Sequence, residues 1–250
     1  MTGEEKLLLA RCEDLFSLCD KRVAPCFTDF LNEAEQAVIK NNIGNRVGYN
    51  SCFFGGYENS QRKIFGVFPQ WEEPDFNSFP IKVLKITKNY KRELTHRDYL
   101  GTVLSCGIDR IKVGDILIDG DCAYIFISED IADYVSFGID KIANVGVKAV
   151  VEDISKITPP EPKFEVINTV SASVRLDAVI ASVLNLSRKN ACELIKSGRV
   201  CVNYTECTNT SHMLSVEDIV SARGFGKFIF SDIGQKTRSD RLHIEVKKYI

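Results

Sequence analysis

The sequence contains no apolar run approaching the ~20 residues that a membrane-spanning helix requires. Its opening, MTGEEKLLLARCEDLF, is acidic early and breaks its apolar positions with charge. It therefore lacks the basic start and continuous apolar core of a secretory signal, and the chain is expected to stay in the cytoplasm with no membrane partner. The nine cysteines are odd in number and include no Cys-x-x-Cys pair, so they read as reduced thiols rather than as a disulfide framework. Cys12, Cys19 and Cys26 recur every seven residues, which suits buried small side chains better than a metal site drawing close pairs from short loops. With only three histidines, at 96, 212 and 243, no histidine-rich metal centre is expected. Neither a Walker spacing nor a Gly-x-Gly-x-x-Gly turn occurs, so no nucleotide cofactor is expected either.

What is present is 250 residues, 44% hydrophobic and 26% charged, a composition for one to three folded domains. The net charge of −2 hides an uneven split. Residues 163–250 hold 13 Lys and Arg against 9 Asp and Glu, whereas residues 1–162 hold 19 against 25. A basic C-terminal module on an acidic body implies that a polyanion is met by the C-terminal end first.

Periodicity divides the chain further. Leu7, Leu8, Ala10, Arg11, Leu15 and Leu18 fall near helical spacing over Glu4–Asp20, and Thr28 or Asp29 is expected to cap a second helix to about Ile39. Cys52-Phe53-Phe54 and Lys63 to Phe68 read as two strands across Gly55-Gly56, with Phe53, Phe54, Phe65 and Phe68 as core. A strand over Ile81–Ile86 precedes a helix capped by Thr95 and Asp98 and running to about Ser105. Gly114–Ile118 and Cys122–Ile127 form a hairpin, a helix follows to about Ile142, and Val145–Val151 is a strand. Strand, helix, hairpin, helix, strand is an α+β sandwich with its helices on one face of the sheet. His96-Arg97-Asp98 looks catalytic as a triplet, but neighbours at a helix start point apart, and capping is the better role. Lys88, Lys91, Arg92, Arg97, Arg110 and Lys112, around Tyr90, form a second candidate basic patch. Ile157-Thr158-Pro159-Pro160-Glu161-Pro162 resists both helix and central strand and marks a linker.

Beyond the linker come a strand over Phe164–Val170, a helix over Ser173–Leu184 and a second helix, Arg188–Lys196, capped by Ser187 and ended by Gly198. Strands follow at Arg199–Asn203 and from Val216, leading into Arg223-Gly224-Phe225-Gly226-Lys227. Two short helices on a small sheet would gather Arg175, Arg188, Lys189, Lys196 and Arg199 into a phosphate-reading surface.

These blocks, Arg175-Leu176-Asp177, Ser187-Arg188, Ile195-Lys196-Ser197-Gly198-Arg199-Val200 with Val202-Asn203, and Asp218-Ile219-Val220-Ser221 with Arg223-Gly224 and Gly226-Lys227, resemble the S-four RNA-binding domain, or alpha-L motif. Tyr204 and Glu217 stand where that motif usually has glycine. Phe53-Phe54-Gly55-Gly56-Tyr57-Glu58-Asn59-Ser60-Gln61-Arg62-Lys63, Thr95-His96-Arg97-Asp98-Tyr99-Leu100-Gly101 and Gly107-Ile108-Asp109-Arg110 with Gly114-Asp115-Ile116 are similar to the YlmH family of bacterial S-four-domain proteins. The resemblance implies an α+β protein of three domains: an N-terminal α/β domain over 1–76, a central RRM-like domain over 77–158 and an S-four domain over 159–250. It implies RNA contact by Arg175, Arg188, Lys189, Lys196, Arg199, Asn203, Arg223 and Lys227. The implied partners are rRNA and tRNA on a large ribosomal subunit holding a stalled peptidyl-tRNA, with an RqcH-type factor that tails the nascent chain.

The expected protein is a non-catalytic, monomeric RNA-binding factor without a metal or small-molecule cofactor. A pseudouridine-synthase-type enzyme is the alternative, since Arg175-Leu176-Asp177 is similar to the catalytic triplet of that class. Ala178-Val179-Ile180 continues it as helix, however, and too few residues follow the S-four blocks for a catalytic domain. An interaction protein of cell division, after an older family label, is a further alternative.

Overall fold

The computed structural model describes residues 2–44, 47–89, 92–158, 160, 164–237 and 240–249. The chain folds as two compact units, Met1–Glu161 and Pro162–Ile250, dividing within the proline-rich stretch.

In the first unit Thr2 and Glu5 make a reciprocal capping box that starts α1 (Gly3–Arg22). The stripe that α1 buries is Cys12, Phe16 and Cys19, with Leu8, Leu15 and Leu18 packed beside it, while Leu7 faces out. Burial pushes the Cys12 and Cys19 thiols up to about 11, so they behave as small apolar side chains. The second helix departs from expectation. Cys26–Leu31 is strand β1, and α2 (Glu33–Asn42) begins only after Asn32, whose side chain accepts from the Glu35 N–H while Glu35 caps back. The strand prevails because Cys26 and Leu31 enter the core under α1 while Phe27 and Phe30 pack into a second cluster, and a two-faced demand of this kind suits an extended chain. β2 (Tyr49–Phe54) and β3 (Lys63–Pro69) complete an antiparallel sheet in the order β1-β3-β2.

β4 (Ile81–Lys88), α3 (His96–Ser105), β5 (Val113–Asp119), β6 (Cys122–Ser128), α4 (Glu129–Gly138), β7 (Lys141–Ile142) and β8 (Val145–Asp153) follow, with sheet order β5-β6-β4-β8-β7. α4 is shorter than expected, and residues 141–142 pair with β8 instead of extending the helix. Leu84, Ile86, Ile125 and Ile127 meet Tyr99 and Val103 of α3 and Ala132 and Val135 of α4 on one sheet face. On the other face Ile81, Val83 and Phe126 join Phe30, Ile64 and Phe68 of the first sheet. Residues 1–76 and 77–158 thus share one buried cluster and pack together. Asp115 adds a polar tie, accepting from Tyr57 Oη (2.8 Å) and from the N–H groups of Gln61 (2.6 Å) and Arg62 (3.1 Å). A Cβ at Gly56, where φ is +98°, would strike the Phe126 ring.

The second unit contains β9 (Phe164–Ser171), α5 (Leu176–Val183), α6 (Arg188–Lys196), β10 (Val200–Val202), β11 (Thr205–Glu206), β12 (Ile219–Ala222), β13 (Gly226–Lys236) and β14 (Leu242–Tyr249). The antiparallel order is β11-β10-β12-β13-β14-β9. Beyond the Gly224–Gly226 loop, where no element was expected, the chain forms the long β13–β14 hairpin, whose last strand pairs with β9 along its whole length. Both helices pack on one sheet face, where Leu176, Val179, Ile180, Leu194 and Ile195 meet Val200, Val220, Phe228, Phe230 and Val246.

Candidate nucleic-acid interface

The interface grows from the junction of α5 and α6. Asp177, in the first turn of α5, is 2% exposed. Its carboxylate accepts two hydrogen bonds from Arg175, from Nε at 3.0 Å and Nη2 at 3.1 Å, and two at 3.2 Å from Arg188. Burial raises its pKa, but the hydrogen bonds from Arg175 and Arg188 outweigh burial, and the carboxyl sits below its ordinary range. The side chains of Arg175 and Arg188 remain 36% and 59% exposed, so the buried carboxylate aims two solvent-reaching guanidinium groups from two different elements. The sequence reading missed this role, noticing Asp177 only as part of a triplet similar to a catalytic one.

α6 is unusual in its charge. Ser187 Oγ caps the Asn190 N–H at 3.2 Å, yet the first turn carries Arg188 and Lys189 and no acidic residue. α1 to α5 each place at least one carboxylate there. Cations at a helix N-terminus oppose the dipole by about 0.3–1 kcal/mol each, an arrangement that favours a bound polyanion over the isolated helix. Lys189 and Lys196 are both exposed and lie two turns apart, with Glu193 between them. At the far end, the N–H of Arg223 donates to the Arg199 carbonyl at 2.9 Å, and strand pairing brings these two exposed arginines together. Arg199 Nε also donates to Ser197 Oγ.

Two expected contacts lie elsewhere. The Asn203 amide is engaged within the fold, donating to Asp218 at 2.8 Å and accepting from the Ile219 N–H at 3.0 Å. Lys227 neighbours Phe228, whose side chain is in the core, so strand alternation turns it to the sheet face away from the helices. Its ammonium there lies 4.6 Å from the Tyr249 ring centroid and 5.7 Å from that of Tyr204.

Of the second candidate patch, most of the described cations have partners within the fold. Lys88 is buried, its ammonium near Asp121 and the Arg92 carbonyl, and Arg92 donates to the Ala143 carbonyl. Arg110 turns inward to the Val113 and Gly114 carbonyls, and burial together with neighbouring Arg62 pushes it down to about 10, still cationic at neutral pH. Lys112 is held by Asp130 at 2.8 Å and Asp29 at 3.1 Å. Arg97 is exposed in the first turn of α3, and Lys91 and Tyr90 lie outside the described residues. In the His96-Arg97-Asp98 triplet, Asp98 Oδ2 accepts from the Thr95 N–H and hydroxyl, both at 2.7 Å, which is a helix cap. Phe65 and Phe68 are buried, and Phe53 and Phe54 pack against the same clusters.

A family model described as the putative RNA-binding domain in YlmH matches residues 74–156, and the S4 domain model matches residues 174–220. The chain is 30% identical over 222 residues to ribosome-associated protein quality control protein P2 of Bacillus subtilis (strain 168), covering 88% of this chain and 86% of that protein. The solved structure of cell division protein ylmH from Streptococcus pneumoniae is similar at 26% identity with a TM-score of 0.52, over 62% of this chain and 95% of that one.

Proposed function

The chain belongs to the YlmH family of S4-domain RNA-binding proteins, and from that premise we propose that it is a non-catalytic factor of ribosome-associated quality control, gripping RNA through the α5–α6 surface. The coarse part of this reading, an RNA-binding role in ribosome quality control, follows from the two matched domains and the relative's name. The finer part is our own: the RNA is rRNA and tRNA on a large subunit that retains peptidyl-tRNA, and the protein assists an RqcH-type factor in tailing the stalled chain, in the cytoplasm and as a monomer.

The observation that carries it is the first turn of α6, where Arg188 and Lys189 stand against the helix dipole and Arg188 is steered by buried Asp177. Guanidinium and ammonium groups on a preformed surface read phosphate and shape rather than base identity. Co-sedimentation with large subunits across a salt series, with and without peptidyl-tRNA, tests it. Arg188→Ala/Lys189→Ala should weaken binding to the loaded subunit and flatten the salt slope by about two units, roughly one per lost phosphate contact. Binding indifferent to these substitutions, or equal with empty subunits, overturns the assignment.

A further inference from the structure

α4 carries an aromatic face that the core does not take. Ala132 and Val135 enter the central core, while Tyr134 stands 63% and Phe137 91% exposed. Residues three apart on a helix are neighbours on its surface, so the two rings form one patch on a rigid element. Tyr134 is oriented from within the fold, its hydroxyl donating to the Cys106 carbonyl at 3.3 Å. No residue of this patch belongs to the Pro162–Ile250 unit, which holds the α5–α6 surface.

The chemistry around the rings selects the occupant. Residues 129–140 include Glu129, Asp130, Asp133 and Asp140 and no Lys or Arg. Lys82 and Lys112 take up Glu129 and Asp130, but Asp133 and Asp140 are exposed, and neither carboxylate has an ion-pair partner among the described residues. A Cβ at Gly138 would lie 3.4 Å from Cys106 Sγ, so α4 closes beside the end of α3. Neither helix has a basic residue in its last turn, whereas α1, α2 and α6 do. The partial negative charge at these two C-terminal ends is therefore not met from within either helix. Carboxylates and helix C-termini repel phosphate, and aromatic faces attract a cation. A guanidinium suits all three features, because it stacks flat on a ring, carries positive charge and donates to carbonyls and carboxylates.

We propose that the Tyr134–Phe137 face of α4 docks a basic segment of a partner protein, one of whose arginines stacks on the aromatic pair. Asp133 and Asp140 meet the remaining charge of that segment, and the C-terminal ends of α3 and α4 favour its cations. The proposal does not rest on the RNA reading of the α5–α6 surface.

Amide-resolved NMR titration of the full chain with a hexapeptide of alternating arginine and glycine, blocked at both ends, tests this. Saturable shifts are expected at residues 133–140 and 105–108. Binding should be roughly fivefold weaker for Phe137→Ala and for Asp133→Lys, both exposed positions, and unchanged for Arg188→Ala. Replacing each arginine of the peptide by citrulline, which keeps the shape but not the charge, should weaken binding by roughly tenfold. Absence of shifts at these residues, equal binding of the citrulline peptide, indifference to either α4 substitution, or dependence on Arg188 overturns the proposal. A hexauridylate that moves the same amides as strongly as the peptide overturns it as well, and assigns the face to RNA.

Discussion

Asp177 is ionised although buried, because Arg175 and Arg188 donate to it more strongly than burial opposes its charge. A carboxylate whose folded pKa lies below its unfolded value stabilises the fold above the unfolded value, and that contribution is lost as pH falls through the folded one. Asp177→Asn is therefore expected to lower stability by about 1–3 kcal/mol at neutral pH, the range for leaving buried polar groups poorly matched. The gap should stay constant above the ordinary aspartate value of 3.8 and close below it. Urea midpoints of both proteins against pH check this, and a gap that persists in acid would assign the effect to packing instead. The Arg-Leu-Asp triplet was visible in the sequence, but its convergence with Arg188, eleven residues further on, depends on how α5 meets α6.

At the scale of the element, turns show where the chain departs from its own best local choice. Asn203 and Tyr204 form the two-residue turn between β10 and β11 with φ of +47° and +66°, and Glu217 before β12 has φ of +73°. A tight hairpin of this hand requires positive φ at both central residues and favours Asn-Gly, so the two positions where glycine was expected adopt glycine-like backbone with larger side chains. Tyr204 has a compensating contact, its ring lying under Lys227. Glu217 is exposed, and Glu217→Gly is expected to stabilise the protein by about 0.5–1 kcal/mol, less strain being partly offset by the greater freedom of glycine in the unfolded chain. A rise in the urea midpoint at unchanged slope is the confirming result; a fall would mean that the Glu217 side chain contributes a contact. Capping boxes at Thr95 and the cap at Ser187 were legible because their spacing is local. The box at Asn32 was overlooked because the strand before it has no polar alternation to announce it.

For the whole molecule, the two units carry separate buried clusters, Leu84 to Val147 in one and Leu176 to Val246 in the other. Unfolding is then not a single two-state event. Calorimetry should resolve two transitions, and a structured RNA present at 100 times its dissociation constant should stabilise only the transition of the Pro162–Ile250 unit, by about 2.7 kcal/mol. A uniform shift of both transitions, or a shift of the Met1–Glu161 transition alone, would place the RNA surface elsewhere. The uneven charge along the chain follows the division into two units, with carboxylates in excess before residue 163 and cations in excess after it.

The sequence by itself determined what is local or ordered along the chain: helices from caps and apolar spacing, the central sandwich from its alternation of elements, and the S4 blocks from residue order. Tertiary structure alone decided which cations act together. It placed Arg175 and Arg188 on one buried carboxylate, joined Arg199 to Arg223 by strand pairing, turned Lys227 to the opposite sheet face, and drew Arg110 and Lys112 into carbonyls and carboxylates. The reason is range. Caps and periodicities act over three or four residues, whereas the direction of a charged side chain depends on partners brought near only when distant elements pack.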